Sequence, residues 1–106
     1  MPSEEYMDDF SSNCNAVLGD MHRLLQEKHK KYGNRSITKG GYMSIIYKME
    51  MKIERLRTLV ATKDDLDELT EIAEWRDDMH DQLIDIANYG LLGIMLLENL
   101  FPKEGD

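Results

Sequence analysis

The sequence has a single cysteine, Cys14, so no disulfide can close within the chain and a small cross-linked secreted scaffold is excluded. Proline is nearly absent as well. Pro2 and Pro102 bracket the chain with none between them, and nothing in that interval forbids long helices. Positive charge is in short supply: 13 Lys and Arg against 21 Asp and Glu leave a net charge of −8. That balance argues against duplex nucleic acid as a partner, because a phosphate backbone needs counter-charges along the contact surface. It leaves open a nucleotide bound through metal ions. No apolar run approaches the roughly 20 residues needed to cross a bilayer. The opening Pro2-Ser3-Glu4-Glu5 has neither the positive flank nor the apolar stretch of a signal peptide, so the expectation is a cytoplasmic protein with no membrane contact. The Gly40-Gly41 pair lacks the spacing and the terminal Lys-Ser/Thr of a P-loop.

What the chain does have is a composition suited to one folded domain. Its 106 residues are 42% hydrophobic and 32% charged, too apolar for an acidic disordered tail. The pattern predicts an all-α fold. A first helix over about 4–31 is marked by Phe10, Cys14, Val17, Leu18, Met21, Leu24 and Leu25 at steps of three and four. Ser3 is its expected N-cap, Glu4 and Glu5 suit the first turn, and Lys28, Lys30 and Lys31 suit the last. A loop is expected from Gly33 through Gly41. A second helix over about 42–60 would bury Ile46, Met49, Ile53, Leu56 and Val60, with Lys48, Lys52 and Arg55 on another face. Residues 64–74 form a short helix or an irregular stretch, and a last helix covers about 79–100. The run from Leu91 to Leu97 is apolar in every direction and must be covered on all sides. The expected architecture is a small antiparallel bundle completed by homo-oligomerisation, most simply a two-fold dimer.

Two pairs of carboxylates stand out. Glu50 and Glu54 are four apart on the second helix, and Asp81 and Asp85 repeat that spacing on the last, with Asn88 three residues on. Carboxylate oxygens suit Mg²⁺ or Mn²⁺, and substrate phosphates can complete the octahedron. All four are therefore candidate metal ligands. Glu50 and Asp85 are the first choice and the candidate catalytic pair, because apolar neighbours flank them. The same spacing also describes ordinary solvated helix faces, and both readings stand at this stage. Asp77 and Asp78 suit a helix start or solvent better than ligation.

The segment Lys28-His29-Lys30-Lys31-Tyr32-Gly33-Asn34-Arg35 is a helix end with positive side chains at the negative end of the dipole. It also supplies candidate substrate contacts: Lys31 and Arg35 for phosphate, and Tyr32 for a base, a role Tyr89 can share. His22, His29 and His80 make no metal constellation. Cys14 fits a buried small position, the eight methionines fit adaptable packing, and Trp75 is a packed anchor, a lid or an oligomer contact.

Three segments, Lys28 to Asn34, Lys48 to Leu56 and Asp81-Gln82-Leu83-Ile84-Asp85-Ile86-Ala87-Asn88-Tyr89, together resemble the nucleotide modification associated domain 1 family of small, often phage-encoded helical proteins. More distantly the chain is similar to the all-α nucleoside triphosphate pyrophosphatases of the MazG and dimeric dUTPase kind. Their Glu-x-x-Glu and Glu-x-x-Asp pairs are replaced here by Glu50/Glu54 and Asp81/Asp85, each widened by one residue. The resemblance implies an Mg²⁺-dependent nucleotide-binding protein, a pyrophosphohydrolase acting on phage or modified nucleotides in the host cytoplasm, with Asn88 orienting a ligand or water. The alternative is a non-catalytic accessory module that sequesters a nucleotide signal or binds a host or DNA-modification protein.

Overall fold

The computed structural model describes residues 1–33 and 35–103. It is all-α: three helices, one of them bent, with no strand among the described residues. Two units, Met1–Gly33 and Asn34–Asp106, are each compact in themselves.

The first unit is α1, Glu4–Tyr32. The Ser3 hydroxyl accepts the Tyr6 amide at 3.1 Å, Glu4 and Glu5 occupy the first turn, and His29, Lys30 and Lys31 the last. Both ends thus follow the charge and capping expected from sequence. Gly33 ends the helix at φ 70°, ψ −170°, a region that glycine alone visits without strain, and its amide returns to the His29 carbonyl at 2.7 Å. Of the expected stripe, Cys14, Met21, Leu24 and Leu25 are half-buried, whereas Phe10, Val17 and Leu18 are exposed.

The second unit starts earlier than expected. In place of a loop running to Gly41, α2 spans Arg35–Thr62 and bends at Gly41, where φ 67° and ψ −159° interrupt it. The bend has a visible tether. Lys48 Nζ donates to Ser36 Oγ at 2.8 Å, twelve residues away. Along a straight helix those residues would be about 18 Å apart, beyond a lysine's reach. The turn before Gly41 therefore folds back along the helix that follows, and it contributes the buried Ile37.

A 3₁₀ turn over Lys63–Asp65 leads to α3, Leu69–Leu97. The stretch 64–74, left open between a short helix and an irregular segment, is divided: residues 64–68 are the 3₁₀ turn and its exit, while 69–74 are the first turns of α3, so no new helix begins at 79. The helix stops at 97 rather than 100. Asn99 takes the left-handed conformation at φ 56°, its amide bonds the Leu96 carbonyl, and the Leu100 amide reaches the Met95 carbonyl at 2.8 Å. These two bonds make a Schellman motif, with Asn where glycine is commoner.

Helices α2 and α3 lie antiparallel. Leu59 meets Trp75, Arg55 meets Asp78, Lys52 meets Asp85 and Lys48 meets Tyr89, so positions fall along one helix as they rise along the other. Trp75 is indeed an anchor: its Nε1–H donates to the Leu59 carbonyl at 2.7 Å. The buried apolar residues are Ile37, Ile45, Leu59 and Ile84. This corrects the expected α2 stripe. Of that stripe Met49 and Leu56 are half-buried as expected, but Ile46, Ile53 and Val60 are exposed, and Ile45, Lys52 and Leu59 take their place toward α3. The apolar arc of α2 is wide enough for either rotation. The acidic partners on α3 favour the one that brings the lysines inward.

Candidate functional site

The α2–α3 seam carries an unusual share of polar groups. Lys48, Lys52 and Arg55 follow the i, i+4, i+7 spacing of one helix face. Opposite them on α3 are Asp78, Gln82, Asp85 and Tyr89, spaced in the same way, with Asn88 beside them. Lys52 Nζ lies 3.0 Å from Asp85 Oδ2, and the Asp85 side chain is only 12% exposed. Arg55 pairs with Asp78 Oδ2, while Gln82 Nε2 donates to Asp78 Oδ1 at 2.9 Å. Lys48 Nζ stands 5.9 Å from the centre of the Tyr89 ring. Asn88 is 5% exposed, the one buried polar residue among those described.

The electrostatics follow from these contacts. The hydrogen bonds from Arg55 and then Gln82 hold the Asp78 carboxyl below the ordinary carboxylate range, and the charges of Arg55 and Lys52 act in the same direction. Desolvation opposes them without prevailing. Gln82 is held through its amide nitrogen, while its buried Oε1 has no hydrogen-bond partner in the structure.

The residues singled out from sequence divide between places. Asp85, Asn88 and Tyr89 are in the seam. Asp81 is one turn from Asp85 on α3 but exposed at the rim, with His80 Nδ1 3.7 Å away as its contact. Glu50 and Glu54 are exposed on α2. At 3.6 residues per turn they are about 150° and 170° from the direction set by Ile45, Lys52, Leu56 and Leu59. Glu50 and Asp85 are therefore not brought together within one chain, and the four carboxylates do not enclose a common point. Among the described residues, no group of three or more His, Cys, Asp or Glu is placed to hold a metal ion. Asp81 and Asp85 are on neighbouring turns of one helix, Asp85 paired with Lys52 and Asp81 exposed. Lys31 and Tyr32 end the first unit, with the Lys31 ammonium 5.2 Å from the Tyr32 ring centre. Arg35 opens α2, is exposed, and its carbonyl accepts the Thr38 hydroxyl.

Sequence reasoning missed Lys48, Lys52, Arg55, Asp78 and Gln82 as site residues. The signal was present: a basic i, i+4, i+7 row and an acidic and amide row of matching spacing, on helices expected to be antiparallel. The three cations were assigned to a separate face because an apolar stripe one residue away looked like the better core.

In comparisons with protein-family models, curated proteins and solved structures, nothing matches this chain. No helix among the described residues is long and apolar enough to cross a membrane.

Proposed function

We propose that this chain is a nucleotide-binding protein, with the α2–α3 seam as its phosphate-recognising surface. The observation that carries this reading is the row Lys48, Lys52 and Arg55 set against Asp78, Asp85 and the buried Asn88, inside the best-packed interface of the second unit. An interface with four buried aliphatic residues gains more from apolar contacts than from half-buried ion pairs, whose desolvation offsets much of their attraction. Polar groups retained at such a position point to recognition.

Lys48 is the first phosphate contact in this reading. The partners it shows are a hydroxyl and an aromatic ring, not a carboxylate, and an ammonium has three donors. Lys52 and Arg55 can exchange a carboxylate for a phosphate oxygen, and Tyr89 offers a face to a base. Mg²⁺ or Mn²⁺ would be held by Asp81 and Asp85, since Mg²⁺ is commonly bound through one or two carboxylates plus phosphates. Arg35, in the same unit as the seam, remains a candidate for the outer phosphate.

Binding without turnover, the sequestering version, is favoured by the separation of Glu50 from Asp85. Release of pyrophosphate is the stronger version. Both are tested together by titrating standard and modified nucleoside triphosphates with and without Mg²⁺, while assaying pyrophosphate. Binding lost in Lys48→Ala and Lys52→Ala supports the reading. Failure of every nucleotide to bind removes it.

A further inference from the structure

The outer side of α3 has a pattern that neither the fold nor the seam uses. Leu83, Ala87, Gly90, Ile94 and Leu97 follow one another at steps of four, three, four and three, the spacing of a helix–helix packing seam. At 3.6 residues per turn this row is roughly opposite the direction of Asp78, Asp85 and Tyr89, so it points away from α2. Leu83 is 52% exposed, Ile94 58% and Leu97 70%. With Ala87 and the neighbouring Leu91 they form a continuous apolar surface, on the order of the few hundred Å² that marks an interaction site.

We propose that this face binds a second copy of the chain, the two α3 helices packing antiparallel about a two-fold axis near Gly90. Three observations choose a copy over a different partner. First, Ile86 to Leu97 holds no charged residue, so two chains each carrying −8 can meet here without opposing like charges. A charged partner would have nothing on this face to recognise. Second, the row complements itself. About Gly90, Leu83 of one copy falls opposite Leu97 of the other, and Ala87 falls opposite the Gly93–Ile94 turn, so a small side chain faces a large one. At the axis, space lies open beside Gly90, where an added Cβ would meet no atom within 4 Å. Third, the same register brings the exposed Glu98 of one copy near the exposed His80 of the other, an opposite-charge contact at each rim when the imidazole is protonated. A self-complementary patch of this kind is what an isologous interface requires. The proposal is independent of the nucleotide reading, because the seam faces the other way.

Sedimentation equilibrium at micromolar concentration tests it first, with twice the 12.4 kDa chain mass expected. Ile94→Glu is expected to give a monomer. Because Ile94 points outward, the helical circular dichroism of that variant should persist. Should the variant unfold, a cross-link decides instead. In a Cys14→Ser background under mild oxidant, Gly90→Cys is expected to yield a disulfide-linked dimer, and Thr58→Cys on the far side of α2 is not. A wild-type monomer at every concentration, whether because α1 of the same chain covers the face or because nothing does, overturns the proposal. So does a dimer in which Gly90→Cys cross-links no better than Thr58→Cys.

Discussion

Lys52 reaches across from α2 to place its ammonium 3.0 Å from Asp85 Oδ2, where the carboxylate is almost enclosed. The pair ties α2 to α3 across the seam. Lys52→Ala leaves a largely buried carboxylate without its counter-charge and should cost about 1–3 kcal/mol. Replacing both, as Lys52→Met with Asp85→Leu, should restore most of that loss, because apolar residues of similar volume commonly substitute for half-buried ion pairs without penalty. Urea denaturation of wild type, Lys52→Ala and the double variant checks this. If the double variant is as stable as wild type yet no longer binds nucleotide, the charges are there for recognition. If it still binds nucleotide, the seam's charges are structural.

Asp78 predicts the acid response. Its folded-state pKa is depressed by Arg55 and Gln82, so its contribution to stability is fully present above the unfolded value of about 4. That contribution is lost as pH falls through the lower folded-state value. Asp78→Asn abolishes the titration. The stability gap between wild type and Asp78→Asn should therefore be constant near neutrality and shrink progressively below about pH 4. A gap that stays constant down to pH 2 would show that the Arg55 contact adds nothing in solution.

These two pairs also show what the sequence made legible. Helix α1 could be read almost to the residue, because Ser3, the flanking charges and Gly33 are local signals whose effects are local. The helical character of α2 and α3 was equally plain from their spacing. Which side of α2 faces inward was not. Ile45/Leu59 and Ile46/Val60 are equivalent stripes until the neighbouring helix is known, and it was Asp78 and Asp85 on that neighbour that distinguished them. The same one-residue rotation hid the basic row of the site and turned Glu50 and Glu54 outward. The start of α3 was obscured for a different reason: Asp64, Asp65 and Asp67 resemble a helix N-terminus but line the turn before it.

Two glycines should respond to alanine in opposite directions. Gly41 stands at φ 67°, ψ −159°, essentially a glycine-only conformation, so Gly41→Ala should destabilise by about 1–3 kcal/mol. It should also loosen the fold-back that Lys48 and Ser36 hold. Gly19 is inside α1 with open space around it, and Gly19→Ala should stabilise that helix by about 0.5–1 kcal/mol. Thermal melts followed by circular dichroism at 222 nm, the usual helix wavelength (about one carbonyl transition per residue reporting on helix content), would register both shifts. A neutral Gly41→Ala would mean that the bend is absent in solution.

Trp75 offers the most local probe of how α3 is joined to the end of α2. Its indole N–H donates to the Leu59 carbonyl at 2.7 Å, and the Lys63 ammonium stands 5.2 Å from the ring centre, so the side chain is held at both its edge and its face. Trp75→Phe keeps an aromatic ring in place while deleting the donor; the Leu59 carbonyl keeps the Thr62 hydroxyl at 3.3 Å, so the change should cost about 1 kcal/mol through the lost hydrogen bond, with a further loss from the smaller ring. Lys63→Ala removes the cation above the ring and should cost about 0.5–1 kcal/mol. Because Trp75 is the single tryptophan, its fluorescence reports this junction alone. Nucleotide bound in the seam should leave the Trp75 emission nearly unchanged while protecting the Asp78 to Tyr89 amides from hydrogen exchange. A large Trp75 change without that protection would place the ligand instead in the cleft of about 560 Å³ lined by Lys63, Asp64, Leu66, Ile72, Trp75 and Arg76.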